Sequence, residues 1–155
     1  MSQDTFALAE LLGWVKQHAL QTQPQGLRLL FSGKPGAGKK RAARWLAEHT
    51  KREFIRVDVS AWLSVYIGET EKNLRQLLER AETSQAILLF DEADALFGLR
   101  DSQPSASHDK YANQEVSYLR DLFATYPGLL IVSTRRPVEL PTLWLRHFDR
   151  VVAFP

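Results

Sequence analysis

Residues 27–40 constrain the fold of this chain more than any other stretch. Leu27-Arg28-Leu29-Leu30-Phe31-Ser32 reads as a buried strand, Gly33-Lys34-Pro35-Gly36-Ala37-Gly38-Lys39-Lys40 follows it, and Arg41–Glu48 has a helical pattern. Strand, glycine loop and helix, in that order, are the context that makes G-x-x-x-x-G-K a phosphate-binding loop. Glycines let the backbone turn so that several N–H groups face one anion. The helix adds its free N–H groups and positive dipole end at the same spot. Lys39 places a point charge between the outer two phosphates. Gly33, Pro35, Gly36, Ala37, Gly38, Lys39 and Lys40 are therefore the candidate phosphate-binding residues. The competing reading is a strand–helix turn with no ligand. One position departs from the pattern. A Ser or Thr hydroxyl next to the lysine would ligate the Mg²⁺ of a bound nucleotide. Lys40 carries donors and no acceptor, so the loop argues for phosphate binding more than for metal-assisted hydrolysis.

Four further strands are expected at Phe54–Val59, Ala86–Phe90, Leu129–Thr134 and Val151–Phe154. Helical patterns cover residues 3–20, 39–50, 60–64, about 70–83, 111–125 and 141–148. The fourth of these should bury Leu74, Leu77, Leu78 and Ala81. Strands alternating with helices argue a parallel sheet with helices on both faces. The expected organisation is an amphipathic helix and polar linker over residues 1–25, then an α/β core over 26–155. Gly98–Asp109, rich in Ser, Gly, Pro and Asp, reads as a long loop.

Ligands on such sheets sit at the carboxyl ends of the strands. Asp91-Glu92 ends the apolar run Ala86–Phe90, so it should meet the glycine loop in space. Asp91 could hold a Mg²⁺ ion, and Glu92 could orient or activate a water facing the terminal phosphate. The plainer alternative is two solvated acids at a strand end, with Asp91 as a helix cap. The chain has no cysteine, which excludes disulfides and thiolate chemistry. A formal charge of +2 demands neither nucleic acid nor an anionic membrane. Basic residues gather near the loop (Lys39, Lys40, Arg41, Arg44, Lys51, Arg52), but no aromatic stacking platform accompanies them. No apolar run approaches the ~20 residues of a membrane span. A cytoplasmic protein is the expectation.

With these residues in place, the chain resembles the nucleotide-binding core of an AAA+ ATPase from about Gly26 to Pro155. Four segments carry the likeness: Gly33–Lys39, Ser64–Leu74, Ile87–Leu96 and Leu145-Arg146-His147-Phe148-Asp149. The second resembles the pore loop and following helix of the substrate-threading clade. Ser107–Asn113 with Glu115-Val116 further resembles AAA+ proteins of phage-tail-like contractile injection systems. The resemblance implies a P-loop NTPase fold, with a five-stranded parallel sheet in the order 5-1-4-3-2. It implies ATP and Mg²⁺ as cofactors, with Asp91 on the metal, and a homo-oligomeric ring, usually a hexamer. Tyr66, with Val65, Ile67 and Gly68, would grip a polypeptide in the central pore. Arg135 stands where the family senses the terminal phosphate with Asn, and an arginine cannot accept a hydrogen bond from water. His147 stands where an arginine finger usually precedes Phe-Asp, leaving Arg146 as the candidate. The helical lid that follows in the family lies beyond Pro155 and is expected to be absent. The resemblance thus supports ATP hydrolysis coupled to protein remodelling in a ring. Lys40, Arg135 and His147 favour the alternative, a degenerate module that binds nucleotide weakly or not at all and acts as a scaffold.

Overall fold

A computed structural model describes residues 3–19, 26–64, 69–94, 124–135 and 146–154. The elements are α1 (Gln3–Ala19), β1 (Leu27–Gly33), α2 (Lys39–His49), β2 (Phe54–Asp58), α3 (Val59–Ser64), α4 (Glu69–Ser84), β3 (Ile87–Asp91), β4 (Leu129–Thr134) and β5 (Arg150–Phe154). The strands form one sheet in the order β2-β3-β4-β1-β5. Every pairing in it is parallel. Read from the other edge, that is the expected 5-1-4-3-2 order.

The alternation of side chains along each strand divides the core in two. Leu29, Phe31, Ile87, Leu89, Leu129 and Ile131 face the side covered by Ala42, Ala43, Leu46 and Ala47 of α2 and by Leu11 and Val15 of α1. Leu30, Leu88, Phe90, Leu130 and Val132 face the other side, with Leu78 and Ala81 of α4 and with Tyr126. Both faces are buried, which is why the central strands carry apolar residues at successive rather than alternate positions, with Arg28 the one charge inside β1. At ~25 cal/mol per Å² these two layers are the main source of stability. β2 and β5 lie at the edges and alternate in burial instead.

Two local expectations change. Val59 begins α3 rather than ending β2, because Asp58 Oδ1 accepts the N–H of Ala61 at 3.0 Å and caps the helix. The helix expected over 141–148 is a turn where it is described, at Arg146-His147. There Asp149 accepts the backbone N–H of Arg28 at 2.8 Å and returns its own N–H to the Arg28 carbonyl at 2.8 Å. That exchange with β1 holds the chain out of helix. α4 buries Leu78 and Ala81 and half-buries Leu77, as its spacing predicts. Tyr126, not singled out by the sequence, is fully buried. Its hydroxyl reaches Ala86 O at 2.5 Å and Ala81 O at 3.2 Å, tying the end of α4 to the start of β3.

Candidate functional site

A cleft of about 360 Å³ opens at the carboxyl ends of β1, β3 and β4. Its walls include Pro35, Gly36, Gly38, Lys39 and Lys40 of the glycine loop, Asp91, Glu92 and Asp94 after β3, and Ser133, Thr134 and Arg135 at the end of β4. Arg41 and Arg56 complete them. The parallel sheet therefore brings together the two segments singled out from the sequence.

Gly33 ends β1 at φ 155°, where an added Cβ would lie 2.5 Å from Phe154 O. Gly38 precedes α2 in the left-handed region, at φ 99°, and a Cβ there would meet nothing within 4 Å. Backbone conformation, not crowding, requires that glycine, and the loop rim stays open. No side chain caps α2 and no acid stands in its first turn. Its free N–H donors face the cleft region together with Lys39, Lys40 and Arg41. Three cations at the positive end of a helix oppose the dipole. An anion there would relieve both.

Lys39 lies on the cleft floor at 9% exposure. Its ammonium donates to Gly33 O at 2.5 Å and Thr134 O at 3.0 Å, joining the ends of β1 and β4. Burial pushes it below the ordinary lysine range, while Asp94 and Asp91 pull it back. Thr134 Oγ1 is buried without a hydrogen-bond partner among the described residues. Glu92 is exposed and holds φ 54°. Lys51 and Gln85 also have positive φ, but each follows a helix end, where that conformation is common. Glu92 follows a strand and lines the cleft, so its strain is kept at the candidate site.

The sequence reading missed two residues here. Arg56 reaches across from β2, and its Nε donates to Asp91 Oδ2 at 2.8 Å. Its Nη2 lies 3.5 Å from Asp58. Partial burial pulls this guanidinium down, but the hydrogen bond and charge of Asp91, with Asp58 and Glu92 behind, hold it above its ordinary value. Asp94 accepts the backbone N–H of Arg135 at 3.0 Å and so fixes the end of β4 to the segment after β3. Both depend on strand neighbours far apart in sequence, and only the β2–β3–β4 order could have revealed them. Arg146 is elsewhere. It precedes β5 and lies at the amino end of the sheet, away from the cleft of its own chain. Val65, Tyr66, Ile67 and Gly68 lie outside the described residues, as do residues 98–109.

The sequence model of the ATPase family associated with various cellular activities (AAA) matches residues 29–155. The chain belongs to the AAA family. An uncharacterized AAA family ATPase, y4kL, of Sinorhizobium fredii is 33% identical over 141 residues, covering 90% of this chain and 41% of the relative. Protein mac-1 of Caenorhabditis elegans is 34% identical over 141 residues, covering 88% and 17%. Two solved structures of the FIGL-1 AAA domain cover 99% of this chain and 52% of their own. One has a TM-score of 0.71 at 26% identity, and the other, in complex with ADP, 0.70 at 23%. This AAA chain thus spans less than half the length of those two relatives, and about half of the solved domains. Among the described residues no helix is long and apolar enough to cross a membrane.

The family implies both a nucleotide and Mg²⁺, and the cleft fits them unequally. The uncapped α2, Lys39 and the open glycine rim suit phosphates. The donor set does not suit Mg²⁺. Lys40 has no lone pair to give while charged, and the Asp91 carboxylate already has a cation against it, with Oδ2 accepting from Arg56 Nε at 2.8 Å and Oδ1 from the Glu92 N–H at 3.0 Å. Among the described residues no group of three His, Cys, Asp or Glu side chains could hold a metal.

Proposed function

We propose that this chain is the ATP-binding core of a ring-forming machine that remodels or threads polypeptide. One observation carries the nucleotide reading: α2 opens without a cap, on three consecutive cations, into a cleft floored by Lys39. Phosphate groups would take the free N–H donors of α2, and Lys39 would counter their charge. Glu92, exposed on the wall, is the candidate for activating water at the terminal phosphate. Family membership supports assembly into a ring, usually of six. Arg146, remote from its own cleft, suits a role at a neighbour's. Tyr66 with Val65, Ile67 and Gly68 is the candidate grip on polypeptide. The segment 1–25 is proposed as an appended helix and linker, although Leu11 and Val15 pack into the same layer as α2. Titration calorimetry with ATP on the chain and on Lys39→Ala tests the site. Binding should weaken by about a hundredfold, roughly 2.7 kcal/mol. Equal affinity of the two proteins would reject it.

A second reading is favoured by Lys40, Arg135, His147 and the Arg56–Asp91 pair, each of which departs from the metal-assisted hydrolytic pattern. In it the chain is a nucleotide-holding or purely structural subunit of the assembly. Steady-state phosphate release separates the two. The remodelling reading expects turnover that falls by about a hundredfold or more in Glu92→Gln. Equal, background-level release from both proteins would leave the structural subunit.

A further inference from the structure

Taking the cleft as the ATP site, as proposed above, its charges bear on how the phosphates would be neutralised. Mg²⁺ needs oxygen ligands and usually one or two protein carboxylates. At this site one ligand position holds a lysine and the expected carboxylate is already held by an arginine. These are two separate changes, on α2 and on β2, and both replace affinity for a cation with a cation. Five cationic residues line the cleft against three acidic ones. Arg56 is fixed at Nε by Asp91 and flanked at Nη2 by Asp58, while Nη1 has no partner among the described residues. A guanidinium so held presents a planar set of donors, the geometry that matches a phosphate group. The Asp58 and Asp91 carboxylates orient it. They stand to it as anchors, not as metal ligands.

We infer that the cleft takes its nucleoside triphosphate without a divalent cation, with Arg56 and Lys40 supplying the positive charge. The reverse case is also definite. If Arg56 were only a surface ion pair, Mg²⁺ arriving with the nucleotide would displace it from Asp91, and affinity would depend on the metal.

The test is calorimetric titration of the full chain with ATP, once in excess EDTA and once in excess Mg²⁺. Wild-type affinity should be tighter in the EDTA arm by about tenfold or more, because excess Mg²⁺ sequesters the nucleotide that a metal-free site would take. Arg56→Gln should weaken the EDTA arm by about tenfold or more through loss of a charge-assisted contact. The double substitution Lys40→Thr, Arg56→Ser restores a hydroxyl and frees Asp91. It should bind about tenfold more tightly with Mg²⁺ than without. Wild-type affinity that is no tighter in EDTA than in Mg²⁺ overturns the inference, and so does an unchanged EDTA arm for Arg56→Gln. The wild-type comparison needs no variant to fold. ATP binding that is absent in both arms, or untouched by Lys39→Ala, would instead overturn the ATP-site reading, and metal-free binding with it.

Discussion

At the amino ends of β1 and β4, the Arg28 guanidinium is 5% exposed and donates to three backbone carbonyls: Tyr126 at 2.6 Å, Leu27 at 3.1 Å and Gly128 at 3.4 Å. At the carboxyl ends of the same strands, Lys39 is nearly as buried and donates to two carbonyls, Gly33 and Thr134. The surroundings differ. Around Arg28 the chain closes on itself, with Asp149 and the Arg28 backbone exchanging both of their hydrogen bonds. Around Lys39 stand an uncapped helix, an orphan hydroxyl, a strained glutamate and a surplus of cations. Buried charges alone therefore do not mark a site. A buried charge whose neighbours are satisfied supports the fold, and one whose neighbours are left wanting points to a ligand.

Changes at the amino end should cost stability and spare nucleotide affinity. Arg28→Met strips a donor from three buried carbonyls, and a loss of about 3 kcal/mol or more is expected in chemical denaturation. ATP affinity of the folded fraction should stay within about twofold; a large loss of affinity would join the two ends and break the comparison. Tyr126→Phe removes bonds to Ala81 and Ala86 and should cost about 1–2 kcal/mol. Burial pushes this phenol up to about 12 from 10.0, so the folded chain holds its proton more tightly than the unfolded one. The contribution is full below pH 10 and is lost as pH climbs towards about 12. Thermal unfolding across that range should show a loss that Tyr126→Phe reduces.

The cleft end should behave the other way. Glu92→Gly relieves a left-handed conformation and should raise stability by about 1 kcal/mol while removing the carboxylate. Destabilisation instead would mean that Glu92 makes contacts the geometry does not show. Lys40→Thr is the smallest expected change. It sits on an exposed first turn, and its effect on unfolding should stay within about 0.5 kcal/mol, whatever it does to binding.

The strands were legible because apolar runs such as Ala86–Phe90 and Leu129–Val132 admit little else in a parallel sheet, while their order came from the resemblance to the AAA+ core. The glycine loop and Asp91-Glu92 were legible because their residue types carry their own chemistry. Arg56 was not. It is one charged residue in an edge strand, and its meaning comes from the register that sets Asp58 beside Asp91. Tyr126 was hidden by the Pro127-Gly128 turn that follows it, which reads as surface. The turn at Arg146-His147 was hidden for a third reason. Its determinant is a pair of bonds to Arg28, 121 positions away, and no local window contains them.

The position of β1 also has a consequence in time. Its neighbours are β4 and β5, with Leu27 beside Leu129 and Leu29 beside Arg150. A chain emerging from the ribosome exposes this apolar strand and its glycine loop long before either neighbour exists. Contacts so distant form slowly, and unpaired strand edges invite association while they wait. The centre of the finished sheet is thus synthesised well before the strands that enclose it.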